Sequence, residues 1–497
     1  MKLIEKRGSG ILLHISSLPN SCGIGSFGKE AYEFVDFLES SGQRYWQILP
    51  LGQTSYGDSP YQSFSTDAGN PYFIDLEFLE KENLLEKDEY IPVYENDDPH
   101  KINYEKIYNT RYIILKKAFD RFDKNTQEYL EFKEKNNKWL DDYAIFMALK
   151  KAHEDKEWST WEDSYRKRDI DALNRFKNEN YESVEFWKFI QYKFYTQWEN
   201  LKKYANSKGI YIIGDIPIYV AYDSVDVWKN PQYFQLDENL QMTSVAGCPP
   251  DAFSPTGQLW GNPLYNWEYM RETEYKWWVE RLESAVGLYD IIRIDHFRGF
   301  AGYYSIPFGE DTAINGSWQK GPGIELFKKI NEKLGDLNII AEDLGFLTED
   351  VIEMLKESGY PGMKLLQFAF DSREGGDYLP HNYPKNSIAY IGTHDNDTAR
   401  GWIENAKKED IEYMREYLDI HTKNIKKTIW KLIARTLATR SNIAVIQMQD
   451  YLVLDNRGRM NKPSTLGNNW AWRMDKEDIN QKLANNILNL TQLYKRI

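Results

Sequence analysis

Eight short apolar segments spaced along the chain constrain its fold more than any other feature. Most are separated by stretches in which apolar residues recur at helical spacing, as with Ala31, Phe34, Val35 and Leu38. Strands that alternate with helices indicate a parallel sheet, and eight such units are the number that closes a (β/α)8 barrel. The predicted strands are residues 10–15, 45–51, 209–220, 290–297, 337–344, 362–370, 387–397 and 442–448.

Two long insertions interrupt this alternation. Residues from about 80 to 208 are dense in Lys and Glu, poor in Gly and Pro, and helical in pattern. Because β-α alternation resumes afterwards, we expect a helical insertion and not an independent domain. Residues 221–265 predict an irregular loop subdomain, part of it rich in Pro and Gly. The sequence therefore predicts an α/β protein in which residues 1–497 form one catalytic (β/α)8 TIM barrel with these insertions.

The composition disfavours several classes of partner. A net charge of −14 argues against nucleic acid, because a nucleic-acid binder neutralises phosphates with clustered Lys and Arg. No run approaches the roughly 20 apolar residues of a membrane span, and the N-terminus lacks the apolar core of a signal peptide. With only two cysteines, we expect a cytoplasmic protein without a membrane partner. The 35 Tyr and 16 Trp suit the apolar faces of sugars, although large cores also use aromatic residues.

Four acids fall at or just past the C-terminal ends of predicted strands: Asp215, Asp295, Glu342 and Asp395. In a barrel these ends surround a single mouth, so acids far apart in sequence meet there. Neighbouring carboxyl groups have pKa values that differ, because like charges disfavour mutual ionisation. One of them can then serve as an acid while the other stays ionised. Glycoside chemistry requires such a pair. Three basic or titratable residues join them at the same end: Arg293, His296 and His394.

Other interpretations of these residues fit the sequence less well. Salt bridges between barrel strands explain any single acid, but they explain four acids at the same end poorly. A catalytic metal is disfavoured because no H-x-H or H-E-x-x-H spacing occurs. The G-x-G-x-x-G at 23–28 does not directly follow its strand, and the second strand ends without an acid, which disfavours a dinucleotide fold. We therefore expect no metal and no other cofactor.

Several motifs resemble the α-amylase superfamily in the form used by 4-α-glucanotransferases, the amylomaltases or disproportionating enzymes of glycoside hydrolase family 77. The motifs are IIRIDHFRG (291–299), IIAEDLG (339–345) and IGTHDND (391–397). The segment GCPPDAFSPTGQLWGNPLY (247–265) resembles that family's loop over the active-site cleft. Residues 12–28, 56–65 and 467–473 also fit the family, so the likeness extends over nearly the whole chain.

This resemblance implies a role for each acid. Asp295 would be the nucleophile that forms a β-glucosyl-enzyme, and Glu342 would be the general acid and then the base. Asp395 would hold sugar hydroxyls and support the oxocarbenium-like transition state. Arg293 would orient Asp295 and keep it ionised, since a cation lowers the pKa of a carboxylate. The family does not need a metal.

The resemblance also implies the substrate and the residues that hold it. Maltooligosaccharides and other α-1,4-glucans would donate a segment to the 4-OH of an acceptor glucose or glucan, in a retaining double displacement. An α-amylase-type hydrolase with the same triad is the alternative, and a covered acceptor site that excludes water would favour transfer. A catalytically silent glucan-binding protein is disfavoured by the complete set of acids. The expected substrate-binding residues are Tyr61, Asp215, Arg293, His296 and His394 at the donor glucose, and Phe253, Gln258 and Trp260 in the loop.

Overall fold

The computed structural model describes residues 2–54, 57–250, 254–345, 347–371, 376–465 and 467–497. Within these ranges the chain forms two sheets. The strands are β1 (Gly8–Leu12), β2 (Tyr45–Gln47), β3 (Tyr211–Ile216), β4 (Ser244–Cys248), β5 (Gln258–Pro263), β6 (Ile291–Ile294), β7 (Gly302–Pro307), β8 (Ser317–Lys320), β9 (Ile339–Ala341), β10 (Gly362–Leu365), β11 (Ser387–Tyr390) and β12 (Ile443–Gln447).

Eight of these strands form the predicted barrel. Their order is β10-β11-β12-β1-β2-β3-β6-β9, and every neighbouring pair is parallel. The first and last strands of this order meet where the N–H of Ala341 donates to the carbonyl of Pro361 at 3.0 Å. Strands β6 and β12 are buried at every position, as expected for parallel strands covered on both faces. The prediction of a (β/α)8 barrel is confirmed.

Helices surround the barrel and fill the first insertion. The helical pattern expected of residues 80–208 is present in the structure, and its longest helix, Tyr181–Ser207, has 27 residues. None of the helices in the described ranges has the length and apolarity needed to cross a membrane. The helices are α1 (Lys29–Ser40), α2 (Leu76–Lys81), α3 (Ile91–Tyr94), α4 (Tyr104–Arg121), α5 (Gln127–Lys135), α6 (Asn137–Ala152), α7 (Asp163–Arg166), α8 (Ile170–Glu179), α9 (Tyr181–Ser207), α10 (Val225–Lys229), α11 (Trp267–Glu272), α12 (Lys276–Leu288), α13 (Ile324–Leu334), α14 (Glu349–Ser358), α15 (Leu366–Ala369), α16 (Ala399–Asn405), α17 (Lys408–Tyr417), α18 (Ile425–Ala438), α19 (Met448–Tyr451) and α20 (Gln481–Leu493).

The second sheet corrects the expectation that residues 221–265 are irregular. Two strands of this segment, β4 and β5, form an antiparallel sheet with β7 and β8, in the order β5-β4-β7-β8. Their partners β7 and β8 follow the barrel strand β6, about 50 residues further along the chain. Such distant pairing leaves no local period in a short segment that contains Gly and Pro, so the pattern of residues 221–265 alone did not reveal it.

The barrel strands are shorter at their C-terminal ends than predicted. Residues 48–51 continue the apolar pattern of β2 and are buried, yet they lie beyond the strand. Residues 295–297 leave β6 through His296, whose φ of 49° is left-handed. The chain thus turns at the barrel mouth directly after the strands. These turns carry Asp295, Glu342 and Asp395, while Asp215 and Arg293 lie on β3 and β6 themselves.

Candidate active site

The four acids lie at the same end of the barrel, although they come from four different strands. Asp215 is the fifth residue of β3, and Asp295 and Glu342 directly follow β6 and β9. Asp395 lies in the loop after β11. Because parallel strands share their direction, all four positions face the same mouth.

The guanidinium of Arg293 gathers three of these carboxylates. Arg293 lies on β6 with 2% of its surface exposed. Its Nη1 donates to Oδ2 of Asp215 at 2.5 Å, while its Nη2 lies 3.0 Å from Oδ1 of Asp295 and 3.9 Å from Oε2 of Glu342. Since one nitrogen faces both Asp295 and Glu342, those two oxygens are at most about 7 Å apart. Retaining glycosidases place their two carboxyl groups at roughly 5–5.5 Å.

Burial and mutual repulsion separate the titration of Asp295 and Glu342. Burial raises the pKa of Asp295 to about 6, against the opposing charge of Arg293 and with a further increase from Asp215. Burial also raises the pKa of Glu342 to about 8, and the negative charge of Asp295 adds to this increase. Near neutral pH the favoured state therefore has Asp295 ionised and Glu342 protonated, which supplies one nucleophile and one acid.

The main chain of His296 orients the carboxyl of Glu342. The N–H of His296 donates to Oε2 of Glu342 at 2.5 Å, and the N–H of Phe297 donates to the main-chain carbonyl of Glu342 at 3.0 Å. Both His296 and the guanidinium of Arg293 face Oε2, so a proton on Oε1 avoids both of them. The left-handed φ of His296 is an uncommon conformation for a residue other than glycine.

Asp395 is held in the ionised state. Burial alone would raise the pKa of Asp395, but His394 and a hydrogen bond from Asn461 outweigh it and lower this pKa to about 2. The Nδ2 of Asn461 donates to Oδ1 of Asp395 at 2.6 Å, and the Nε2 of His394 lies 3.3 Å from Oδ2. Asp395 is therefore a fixed negative charge beside the other two acids.

An aromatic wall closes one side of the site. The hydroxyl of Tyr61 donates to Oδ2 of Asp215 at 2.8 Å and lies 2.9 Å from Nε2 of His394. Because its single proton goes to Asp215, His394 must be the donor in the second contact. The Tyr61 and His394 rings stack at 5.4 Å, and the ring of Trp470 lies 5.9 Å from each of them.

The small sheet brings a second aromatic residue to the mouth. Trp260 on β5 packs its ring edge-to-face with His296, at 4.8 Å and 88°. Its Nε1 donates to Oε1 of Gln258, two residues earlier on the same strand, at 3.1 Å. Phe253 lies outside the described residues. Of the predicted loop residues, Trp260 therefore contacts the barrel site directly and Gln258 contacts Trp260.

Comparison with known proteins decides the family. The sequence model of the 4-alpha-glucanotransferases matches residues 13–479. The chain belongs to the 4-α-glucanotransferase family. A 4-alpha-glucanotransferase of Clostridium butyricum is 53% identical over 487 residues, which cover 97% of this chain and 100% of that protein. A 4-alpha-glucanotransferase of Thermus thermophilus is 44% identical over 479 residues, covering 94% of this chain and 95% of that one.

Solved structures agree with this assignment. An amylomaltase from Streptococcus agalactiae, solved with acarbose, superposes with a TM-score of 0.95 at 44% identity and covers 99% of this chain and 100% of its own. The amylomaltase of Corynebacterium glutamicum has a TM-score of 0.80 at 19% identity, covering 98% of this chain and 75% of its own, which supports the fold alone. The expected family, fold and 4-α-glucanotransferase activity are thus confirmed.

Three residues near the candidate site were not predicted from the sequence. Trp470 belongs to a segment whose likeness to the family was noted, but no role was assigned to it. Arg459 and Asn461 lie in a polar stretch without helical or strand period, which gave no signal. The structure brings the described residues of the predicted set, from Tyr61 to His394, to one mouth, and it adds these three.

Proposed function

We propose that Asp295, Glu342 and Asp395 catalyse transfer of an α-1,4-glucan segment from a maltooligosaccharide or longer glucan to the 4-OH of an acceptor glucose or glucan. The observation that carries this assignment is the position of Arg293 between Asp295 and Glu342, whose pKa values lie at about 6 and about 8. One ionised and one protonated carboxyl within reach of one anomeric carbon are what a retaining mechanism uses.

In the first step an oxygen of Asp295 attacks the anomeric carbon of the donor glucose. The bond between that carbon and the glycosidic oxygen breaks, and the proton of Glu342 passes to the leaving 4-oxygen. The reducing-end fragment departs with a free 4-OH, and the remaining segment is bound to Asp295 as a β-glucosyl ester. The negative charge of Asp395 stabilises the positive charge that develops on the sugar ring.

In the second step Glu342, now ionised, acts as a base. It removes the proton from the 4-OH of an acceptor sugar, whose oxygen attacks the anomeric carbon and displaces Asp295. The new bond has the α configuration of the original one, and both carboxyl groups return to their starting protonation states. Arg293 stabilises Asp295 as a leaving group, because it lies 3.0 Å from Oδ1 in the ionised state.

We infer that shielding of the mouth by the segment before β5 favours a sugar acceptor over water. Residues 254–257, which precede β5, are braced by the β7–β8 connection, where the N–H of Ala313 donates to the carbonyl of Thr256 at 3.0 Å. A braced loop that limits water around the glucosyl-enzyme lengthens its lifetime until a sugar arrives. An α-amylase-type hydrolase with the same triad is the alternative, and the names of the relatives support transfer.

We also infer that the chain acts as one catalytic domain. A single continuous apolar core includes Ile291 of the barrel and Phe189 of the helical insertion. Gln191 of α9 exchanges two hydrogen bonds with the main chain of Gly69, at 2.8 and 3.0 Å. This packing of the insertion onto the rest of the chain supports the proposal of a single domain.

We place this activity in the cytoplasm, in the metabolism of maltodextrins and storage glucans such as glycogen or starch. The proposal is supported by the presence of only two cysteines in 497 residues, which suits a reducing compartment. It is also supported by the substrate class, because transfer between glucans changes chain length without consuming an activated sugar.

Substitution of the nucleophile tests the proposed roles. We expect Asp295→Asn to remove nearly all turnover of maltotriose with the fold intact, because an amide cannot form the ester intermediate. Asp171→Asn is the control, since Asp171 is exposed on α8 in the helical insertion. Substantial turnover by Asp295→Asn, with an unchanged thermal midpoint, would show that the nucleophile is wrongly assigned.

A further inference from the structure

The loop that follows α19 contacts the main chain around Asp395 at several points. Asn461 in this loop donates from Nδ2 to Oδ1 of Asp395 at 2.6 Å, and its N–H donates to the carbonyl of His394 at 3.1 Å. A single residue therefore fixes the carboxylate of Asp395 and the backbone that carries it.

Arg459 strengthens the same arrangement from two residues earlier. Its Nη2 donates to the main-chain carbonyl of Asp395 at 2.6 Å, and its Nη1 forms an ion pair with Asp397. Its Nε donates to the carbonyl of Asn461 at 2.7 Å, which ties the two loop residues to each other. The loop after β11 and residues 459–461 are thus joined by side-chain and main-chain contacts.

We propose that Asn461 is a positioning residue for Asp395: its amide fixes the orientation of that carboxylate and keeps it ionised while Asp395 stabilises the transition state. The inference rests on the proposed function. The side chain of Asp395 is 38% exposed toward the mouth, so its orientation is not set by packing alone. A neutral amide is suited to this task because it donates a hydrogen bond without adding a cation that would compete with the positive charge on the sugar.

The groups that face Asp395 determine how a substitution at Asn461 acts. His394 lies 3.3 Å from Oδ2, and Arg293 also lowers the pKa of Asp395. Asp295 is a negative charge near enough to interact with Asp395, as the raised pKa of Asp295 reflects. Tyr61 stands between His394 and Asp215. Among the groups around Asp395, Asn461 is therefore the neutral one that donates a hydrogen bond to this carboxylate. The hydroxyl of Tyr61, by contrast, donates to Asp215.

Replacement of Asn461 by Asp separates a positioning role from a space-filling one. The two side chains have nearly the same shape, but Asn461→Asp would set a second carboxylate against Oδ1 of Asp395. Like charges disfavour mutual ionisation, so the pKa of Asp395 rises from about 2 toward the pH range in which the enzyme works. At about pH 6 and above, where Asp295 becomes ionised, protonation of Asp395 then lowers kcat, and a further rise in pH restores it, which a merely structural residue would not cause.

Asn461→Ala tests the contact without adding charge. We expect kcat for maltotriose to fall about 10- to 100-fold, while KM changes less than about threefold, because the lost contact supports a group that acts in the transition state. Asn468→Asp is the matched control for both variants, since Asn468 is an exposed amide of the same loop that pairs with Lys101 at 2.8 Å. We expect the control to keep the wild-type pH profile.

The outcomes decide the proposal directly. It is supported when kcat of Asn461→Asp is below that of wild type at pH 6 and recovers toward it as the pH rises, Asn461→Ala lowers kcat, and Asn468→Asp does neither. It is overturned when folded Asn461→Asp and Asn461→Ala both keep the wild-type kcat and pH profile. If the Asp variant does not fold, the kcat of the Ala variant decides alone. Failure of the proposed function is distinct, because wild-type enzyme would then form no oligomer longer than maltotriose.

Discussion

Substitution of Arg293, whose two terminal nitrogens contact two different carboxylates, is the most informative perturbation of this site. Arg293 reaches Asp215 with one nitrogen, at 2.5 Å, and Asp295 with the other, at 3.0 Å. Lysine keeps the positive charge but offers a single ammonium group on a different stem, so it can serve only one of the two carboxylates. Arg293→Lys therefore keeps the positive charge but removes the simultaneous contact with both carboxylates.

The magnitude follows from the loss of one contact. A hydrogen bond to a charged group contributes about 1.5–3 kcal/mol, so kcat/KM falls about 10- to 150-fold if the lost contact is the one to Asp295. Asp215 is the more buried of the two partners and is expected to keep the lysine. With the cation further from Asp295, the pKa of that carboxyl rises above about 6, because Arg293 opposes the effect of burial there. Asp295 must be ionised to attack, so the acid limb of the activity profile moves to higher pH.

The assay is maltotriose disproportionation followed by glucose release from pH 4 to pH 9. Arg121→Lys is the control, because Arg121 makes an equally forked pair with Glu89, at 2.6 and 2.9 Å, on the exposed surface of the helical insertion. We expect that control to retain full activity, since an exposed ion pair contributes little to stability. The reasoning is refuted if Arg293→Lys keeps more than half of the wild-type kcat/KM and an unchanged acid limb.

Four further predictions follow from the same residues. Wild-type kcat/KM should rise through about pH 6 as Asp295 ionises and fall through about pH 8 as Glu342 loses its proton, and a flat profile from pH 5 to 9 would contradict this assignment. His296→Asn should retain a kcat at least about fivefold higher than that of His296→Val. Both variants lose the imidazole, but only Asn tolerates the left-handed φ that directs the N–H of residue 296 to Glu342. Equal losses of kcat would show that this main-chain contact does not orient Glu342. Burial raises the pKa of Asp450 to about 7, so the folded state loses stability as the pH rises from about 4 to about 7 and this carboxyl must ionise. The thermal midpoint of Asp450→Asn should therefore depend less on pH than that of wild type. Chelator treatment should leave activity unchanged, and a large loss that an added divalent cation restores would revive a metal mechanism.

The barrel could be predicted because its strands have a strong local signature. Segments such as residues 443–447 are apolar, buried on both faces and separated by helices, so their number and order follow from the pattern. The predicted strands extended too far at their C-terminal ends, because the apolar, buried residues continue beyond the end of each strand. Ile48 and Leu51, for example, are as buried as the residues of β2 itself, and burial alone does not separate a strand from a packed loop.

The acids could be placed at the mouth because each one lies at or shortly after the C-terminal end of a recognisable strand. Residues whose position depends on distant pairing could not be placed in this way. Trp260 reaches His296 through the four-stranded sheet, which requires strands from both sides of β6. Asn461 reaches Asp395 from a polar loop 66 residues away, where neither period nor composition marks its partner. Such contacts arise from tertiary packing, which a linear pattern does not encode.

Product analysis with maltotriose as the sole substrate tests the central claim most directly. A glucanotransferase should release glucose and build maltopentaose and longer oligomers, with little net gain of reducing ends because each broken linkage is replaced. Formation of glucose and maltose with a steady gain of reducing ends, and with no oligomer longer than the substrate, would contradict the account.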